Sequence, residues 1–112
     1  MKRLNFFPSY APYLRSGAKT TTLRLQNTEK FTTGETVMLT TGWDSAHAVE
    51  LDRAVITAVR RKCAGELDAA DLAGESPDCR TVEAARLVLS GIYRRELADR
   101  DCVFIIDFRR VS

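Results

Sequence analysis

The order of predicted strands and helices is the feature of this sequence that most restricts its fold. Alternating and β-branched residues predict strands over 3–7, 20–25, 35–41, 49–62 and 102–108. The one long helical pattern falls between the fourth and fifth strands. Because helices do not follow each strand as they do in βαβ units, this order indicates an α+β fold. Short strands with polar turns favour a small mixed β-barrel flanked by two or three helices.

Two helices are predicted with defined ends. The longer begins after Thr81, its predicted N-cap, and runs to about Tyr93. Its apolar stripe has three- and four-residue spacing and consists of Val82, Ala85, Val88, Leu89 and Ile92. The shorter runs from a cap at Ser9 through Arg15 and stops at a left-handed Gly17. A further helical turn is predicted over 68–72.

Length and composition are those of a small globular protein. The chain has 112 residues, which fits one domain over 1–112, and 45% of them are apolar. No uncharged apolar run approaches the roughly 20 residues of a membrane span. The N-terminal MKRLNFFPSYAPYLR has no apolar block of the kind found in a signal sequence. We therefore expect a cytoplasmic protein with no membrane partner.

The cysteines favour neither a metal site nor a disulfide. Cys63, Cys79 and Cys102 are far apart in sequence, and the single histidine, His47, is near none of them. A structural zinc site normally needs four Cys or His ligands, often in close pairs. The cysteines are therefore predicted to be small buried or half-buried side chains.

Charge is distributed unevenly along the chain, although the formal net charge is only +2. Five basic residues precede the first acidic residue, Glu29. Further basic groups lie at 60–62, 94–95 and 109–110, whereas 64–78 contains acidic residues and no Lys or Arg. If the fold brings the terminal basic groups together, they form a patch that attracts phosphate; otherwise they are solvated surface charges.

The segment SGAKTTTLR, residues 16–24, contains the residues best suited to catalysis. On a strand, Thr22 and Arg24 project to the same side, and Lys19 is close enough in sequence to lean towards Thr22. A neutral lysine amine beside a threonine hydroxyl can act as base and nucleophile. Glu75, in the acidic loop AGESPD, is the candidate carboxyl for proton transfer. The alternative interpretation is structural: the three threonines are good strand formers, and Lys19 and Arg24 are ordinary solvated charges.

The order FFPSYAPYLRSGAKTTTLR, then a polar loop, then FTTGETVML resembles the start of an ASCH domain, which belongs to the PUA-like superfamily. The family pattern G-x-K-T-x-T-x-R followed by G-[DE]-x-V is matched by Gly17, Lys19, Thr20, Thr22, Arg24, Gly34, Glu35 and Val37. Weaker matches continue to the terminal strand. The resemblance implies a small β-barrel flanked by helices, with a cleft that accepts RNA or a nucleobase.

Some small bacterial ASCH proteins are N4-acetylcytidine amidohydrolases, which release cytidine and acetate without a metal or other cofactor. Carried over from that resemblance, Thr22 is the nucleophile, Lys19 its activating base and Glu75 the proton-transfer partner. Arg24 would orient the substrate or stabilise charge. The loop around Glu75 departs from the amidohydrolase pattern, and Asp78 is an alternative for the third position.

The resemblance also leaves other functions open. ASCH domains have been linked to RNA binding and to RNA cleavage, so an RNA-binding module without hydrolase activity and a ribonuclease are alternatives. We expect a modified nucleoside or RNA as partner, and no DNA. Thr20 and Trp43 are further candidates for substrate contact, the latter on the rim of a cleft. Other aromatic residues, Phe6, Phe7 and Tyr13, are predicted to be core, and His47 a loop residue.

Overall fold

The computed structural model describes residues 1–111, which form a five-stranded mixed sheet with two helices. The strands are β1 (Arg3–Phe6), β2 (Thr21–Arg24), β3 (Thr36–Thr41), β4 (Val49–Cys63) and β5 (Cys102–Arg110). The helices are α1 (Ala11–Ser16) and α2 (Val82–Tyr93), and five short 3₁₀ turns join the larger elements. The predicted α+β class is confirmed.

The strand order, β1-β3-β4-β5-β2, puts the first two strands of the chain at opposite edges of the sheet. β1 pairs with β3 in parallel, and every other pairing is antiparallel. The sheet curls until its edges face one another, and Arg24 of β2 donates a hydrogen bond from Nη2 to the carbonyl of Asn5 in β1. The result is a half-barrel with an open seam between β1 and β2.

The long fourth strand closes most of this half-barrel because it pairs with both β3 and β5. Its register with β5 shifts between Ile56 and Ala58, and the β3–β4 register shifts between Leu39 and Thr40. Such bulges bend a strand and increase its twist. The prediction of one long or bulged strand in this region is confirmed.

Two apolar clusters lie on opposite faces of β5. The first contains Ile106 and Phe108 together with Phe6 of β1, and the second contains Val103 and Ile105. Successive side chains of a strand point to opposite faces, which explains the division. The second cluster is covered by α2 through Ala85 and Leu89 and by the turns that precede it: Ala64, Leu67, Leu72 and Cys79.

Helix ends follow the predictions in part. Thr81 caps α2 by accepting a hydrogen bond from the amide of Ala84 at 3.1 Å. Gly17 ends α1 with φ +80°, a left-handed conformation that glycine adopts without steric cost. Ser9 is not a cap, because it lies within a 3₁₀ turn, Pro8–Tyr10, that leads directly into α1.

Several side chains differ from their predicted environments. Cys79 is buried, but Cys63 and Cys102 are exposed, because they lie opposite one another where β4 ends and β5 begins. Tyr13 is 38% exposed rather than core. His47 is a loop residue, as predicted, and its ring nitrogen lies 2.9 Å from Asp44. No helix within residues 1–111 is long and apolar enough to cross a membrane.

Candidate functional site

Two adjoining cavities open at the seam of the half-barrel. The outer cavity, of about 190 Å³, lies between β1, β2, the loop after β3 and the end of α2. The inner cavity, of about 40 Å³, lies beneath it, against α2 and the loop before it. The residues that line both are Phe6, Tyr10, Thr22, Leu23 and Ile92. The two cavities therefore form one continuous cleft.

Lys19 lies at the inner end of this cleft with its charge out of solvent. Its side chain is 3% exposed, and Nζ forms an ion pair with Oε2 of Glu75, whose side chain is equally buried. The ammonium also lies 4.9 Å from the ring centre of Tyr10 and 5.7 Å from that of Phe6. A buried ammonium is costly unless it is paired, and here one carboxylate and two aromatic faces compensate for lost hydration.

Gly74 brings the Glu75 loop against the start of β2. Its carbonyl accepts hydrogen bonds from the amides of Thr20 at 2.7 Å and Thr21 at 3.1 Å. A Cβ at this position would lie only 2.4 Å from Oγ1 of Thr20 and 2.6 Å from Oγ1 of Thr21, so a larger residue cannot come this close. The close approach positions Glu75 opposite Lys19.

The two oxygens of the Glu75 carboxylate have different surroundings. Oε2, which pairs with Lys19, also accepts from the amide of Ser76 at 3.0 Å and lies 3.3 Å from the Ser76 hydroxyl. Oε1 makes no hydrogen bond to any of residues 1–111. Because every fully buried side-chain N or O atom among these residues has a partner, Oε1 must be accessible to solvent. Oε1 is therefore the oxygen that a molecule in the inner cavity can meet.

Thr21 and Thr22 are neighbours with different environments. Oγ1 of Thr21 donates to Oδ1 of Asp107 on β5 at 2.6 Å. Thr22 is 6% exposed, lines both cavities, and its hydroxyl makes no hydrogen bond within residues 1–111. A nearly buried hydroxyl without a partner is uncommon, and this one is adjacent to the Lys19–Glu75 pair. Thr20 lines neither cavity.

Arg24 lies on the same side of β2 as Thr22 and lines the outer cavity. Its guanidinium is 5.4 Å from the ring centre of Phe6 and makes no ion pair with a carboxylate of residues 1–111. Burial lowers the pKa of Arg24. A guanidinium has five N–H donors, so the one bond to Asn5 leaves donors for an oxygen-bearing ligand.

Asn5 itself is held in place by two side-chain hydrogen bonds. Its Nδ2 donates to the carbonyl of Gly42 at 3.1 Å, and its Oδ1 accepts from the hydroxyl of Thr40 at 2.8 Å. The carbonyl that receives Arg24 is therefore part of a rigid edge. Asn5 was not singled out from the sequence, because the meeting of β1 with β2 depends on the curl of the whole sheet.

Trp43 stands at the mouth of the outer cavity. It is 80% exposed, and its ring lies 5.5 Å from that of Phe7 at an interplanar angle of 40°. The second face of the indole is free for a planar ligand, and base–aromatic stacking is worth about 1–3 kcal/mol. Trp43 therefore lies on the rim, as predicted, while Phe7 is a half-buried wall of the cleft rather than core.

The structure answers whether Glu75 or Asp78 faces the cleft. Asp78 lines neither cavity; it accepts hydrogen bonds from Oη of Tyr10 at 2.8 Å and Oγ of Ser76 at 2.7 Å. Burial alone would raise the pKa of Asp78, but its hydrogen bonds with Ser76, Tyr10 and Cys79 and the charge of Lys19 together lower it. Burial and the bond to Asp78 raise the pKa of Tyr10. Glu75 is the residue that meets Lys19.

The cleft thus combines a buried amine–carboxyl pair with a hydroxyl and a guanidinium: within residues 1–111 the hydroxyl has no hydrogen-bond partner and the guanidinium no ion pair. Such a set can perform nucleophilic attack with proton transfer to and from the same pair. Within the described chain, no cluster of three or more His, Cys, Asp or Glu side chains is arranged to hold a metal ion. Ser76, next to Glu75 in the chain, was not predicted, and neither were the contacts of Tyr10 with Lys19 and Asp78.

Sequence comparisons do not assign this chain. No family model matches it, and no curated protein matches it.

Solved structures, in contrast, share its fold. An ASCH domain from Lactobacillus crispatus JV V101 is similar with a TM-score of 0.67 at 15% identity, over 97% of this chain and 79% of that one. A protein from Enterococcus faecalis V583, of the family DUF984, has a TM-score of 0.67 at 16% identity, over 99% and 80%. The hypothetical protein PH0355 has a TM-score of 0.70 at 15% identity, over 99% and 100%.

Proposed function

We propose that this protein, which has the fold of an ASCH domain, hydrolyses N4-acetylcytidine or a related acylated pyrimidine nucleoside to the free nucleoside and a carboxylate. The observation that carries the proposal is the contrast between Thr21 and Thr22. One hydroxyl is engaged by Asp107, whereas its neighbour has no partner within residues 1–111 and lines the same cavity as Lys19 and Glu75. That arrangement suits a nucleophile with its own base and acid.

In the first step, Thr22 becomes acetylated. Lys19 passes a proton to Glu75 across their ion pair, and its neutral amine takes the Thr22 hydroxyl proton as Oγ1 bonds to the acetyl carbon. The tetrahedral intermediate collapses when the carbon–N4 bond breaks and Glu75 gives its proton to the departing nitrogen. The products are the amine of cytidine and an acetyl-Thr22 ester, with the ion pair restored.

In the second step, water hydrolyses that ester. The attacking water gives one of its protons to the Lys19–Glu75 pair. Its second proton restores the Thr22 hydroxyl, and acetate leaves. Since acetate is released as an anion near neutral pH, each turnover also yields one proton. The open Oε1 of Glu75 supports this double use, because it is the oxygen free to meet the substrate or the water.

Substrate binding is assigned to the outer cavity. Its volume of about 190 Å³ suits a single pyrimidine ring, with the acetyl group directed into the inner cavity towards Thr22. Arg24 has free donors for an oxygen of the ring, and the exposed face of Trp43 can stack on the base or sugar side of the nucleoside.

The test compares two isosteric substitutions, Thr22→Val and Thr21→Val, with the wild type in a cytidine-release assay. We expect Thr22→Val to lose at least about 100-fold in kcat and Thr21→Val to keep turnover per folded molecule. Thermal unfolding of each variant checks that it is folded. Release of cytidine by Thr22→Val at the wild-type rate would contradict the assignment of the nucleophile.

A second candidate function is recognition of single-stranded RNA by the same cleft without hydrolysis. It is favoured by the 80% exposure of Trp43 and by the unpaired guanidinium of Arg24. Fluorescence titration of Trp43, the single tryptophan, with short RNAs at rising salt tests it directly. Binding that weakens steeply with salt, together with no release of cytidine, would favour this function over the hydrolase.

A further inference from the structure

A chain of hydrogen bonds leads from the buried Lys19–Glu75 pair to the protein surface. Both side chains of the pair are 3% exposed. Among residues 1–111, only the side chains of Lys19 and Ser76 have a polar atom within hydrogen-bond distance of the Glu75 carboxylate. Ser76 is fully buried, and its hydroxyl in turn reaches Asp78, whose residue is exposed. Ser76 therefore links the pair to Asp78 by a route separate from the cleft.

The distances around Ser76 give this chain a direction. Its Oγ lies 2.7 Å from Oδ1 of Asp78 but 3.3 Å from Oε2 of Glu75. A hydroxyl has one proton to donate, and the shorter distance directs that proton outward to Asp78. The lone pairs of Oγ are then available to a proton on Glu75. Such an arrangement is ready to pass a proton from the interior to the surface.

Asp78 is fixed as the outer end of the chain by Tyr10. The Tyr10 hydroxyl donates to Oδ2 of Asp78 at 2.8 Å, which leaves Oδ1 for Ser76. The same tyrosine packs its ring over the Lys19 ammonium. One side chain thus positions both ends of the chain.

We propose that Ser76 and Asp78 form a proton exit path for the Lys19–Glu75 pair. A proton leaves Glu75 for Oγ of Ser76 while the Ser76 hydroxyl proton passes to Asp78, and Asp78 gives it to bulk water. The role of this path in catalysis rests on the proposed function. The hydrolysis R–NH–CO–CH₃ + H₂O → R–NH₂ + CH₃–COO⁻ + H⁺ produces one proton per turnover at a pair that solvent barely reaches.

The first measurement is independent of activity. Lys19 is one of four lysines, and the exchange of its Nζ protons with water can be followed by NMR in protein labelled with ¹⁵N-lysine. We expect Ser76→Ala and Asp78→Asn each to slow this exchange by about tenfold or more, since the proton route is broken at one link. Tyr10→Phe keeps the ring and removes only the hydroxyl, so its effect should be smaller.

The matched control is Ser90→Ala, the same chemical change at a half-buried site on α2 outside the hydrogen-bond chain. It should leave the exchange of the Lys19 protons unchanged. Exchange rates in Ser76→Ala and Asp78→Asn that equal the wild-type rate would overturn the proposal, whether or not the protein is a hydrolase.

The second measurement is turnover of N4-acetylcytidine by the same variants. A broken exit path lowers kcat about tenfold, leaves KM near the wild-type value, and is rescued by high concentrations of a small buffer such as imidazole. A merely structural role of Asp78 would show no buffer rescue, which overturns the path. Exchange that slows in Ser76→Ala and Asp78→Asn, together with no release of cytidine by the wild type, would support the path and refute the proposed hydrolase.

Discussion

Two carboxylates in this protein are equally buried, at 2% exposure, but their surroundings differ. Asp71 has both oxygens engaged: Oδ1 accepts from Arg60 at 2.6 Å, and Oδ2 accepts from Lys62 at 2.8 Å and from the amide of Asp68 at 3.0 Å. Within the described residues, Glu75 pairs with one cation and keeps one oxygen open. Asp71 lines neither cavity of the cleft, whereas Glu75 lines the inner one.

Under the proposed function, the difference separates a structural carboxylate from a catalytic one. A carboxylate with both oxygens engaged can hold a turn in place but offers a substrate no open oxygen. Asp71 belongs to a reciprocal capping arrangement with Asp68 at the start of the 3₁₀ turn Ala69–Leu72. Glu75, only four residues later, is as buried as Asp71, but its hydrogen-bond contacts all fall on Oε2 and leave Oε1 open. Engagement of both oxygens, rather than burial, distinguishes the two.

The largest expected effect is on turnover in Glu75→Gln. The amide still accepts a hydrogen bond from Lys19 but can neither take nor give the proton of a carboxyl group. We expect kcat to fall about 10²- to 10⁴-fold while the protein stays folded. Cytidine release and thermal unfolding measure the two quantities. Turnover near the wild-type rate in this variant would remove Glu75 from the mechanism.

The matching change at the structural carboxylate, Asp71→Asn, should affect stability instead. Loss of its charge-assisted hydrogen bonds is expected to lower the free energy of unfolding by about 2–3 kcal/mol. Turnover per folded molecule should stay at the wild-type value, because Asp71 is outside the cleft. Urea unfolding combined with an activity assay gives both numbers. If this variant loses as much kcat as Glu75→Gln, the distinction between the two carboxylates fails.

A smaller effect is expected where the Glu75 loop meets β2. In Gly74→Ala, the new methyl group must displace the hydroxyls of Thr20 and Thr21, which we expect to cost about 1–3 kcal/mol in the free energy of unfolding. Turnover should also decrease, because Glu75 moves with the loop. The control is Gly91→Ala in α2, where a Cβ meets nothing within 4 Å and about 0.5–1 kcal/mol of stabilisation is expected.

The smallest effect is the pH dependence of stability. Burial alone would raise the pKa of Asp71, but the hydrogen bonds from Lys62, the Asp68 amide and Arg60 outweigh it and lower that pKa from 3.8 to about 2. Asp71 therefore contributes stability above its unfolded-state pKa, and this contribution is lost as pH falls from about 4 towards 2. The difference in unfolding free energy between wild type and Asp71→Asn should shrink across that interval; a constant difference would contradict the lowered pKa.

The sequence predicted the elements of the fold because their signals are local. Alternation located all five strands, and the Thr81 cap with its apolar stripe located α2. Lys19, Thr22 and Arg24 were predicted as site residues from a single segment, and they line the cleft. Their catalytic and binding roles are still predictions.

The rest depended on contacts between distant segments. The selection of Glu75 over Asp78 follows from the docking of Gly74 on Thr20 and Thr21, more than fifty residues away in the chain. The involvement of Asn5 follows from the curl that brings β1 to β2. Exposure of Cys63 and Cys102 follows from their position where β4 and β5 pair for the last time. None of these contacts has a local sequence signal.

The central claim is that Thr22 attacks the acyl group with the help of the Lys19–Glu75 pair. The most direct measurement mixes purified protein with N4-acetylcytidine, quenches the reaction within the first turnovers and analyses the peptides by mass spectrometry. We predict release of cytidine together with an acetyl group on Thr22 in the wild type, and neither in Thr22→Val. Release of cytidine by both proteins, or by neither at high enzyme concentration, would contradict the account.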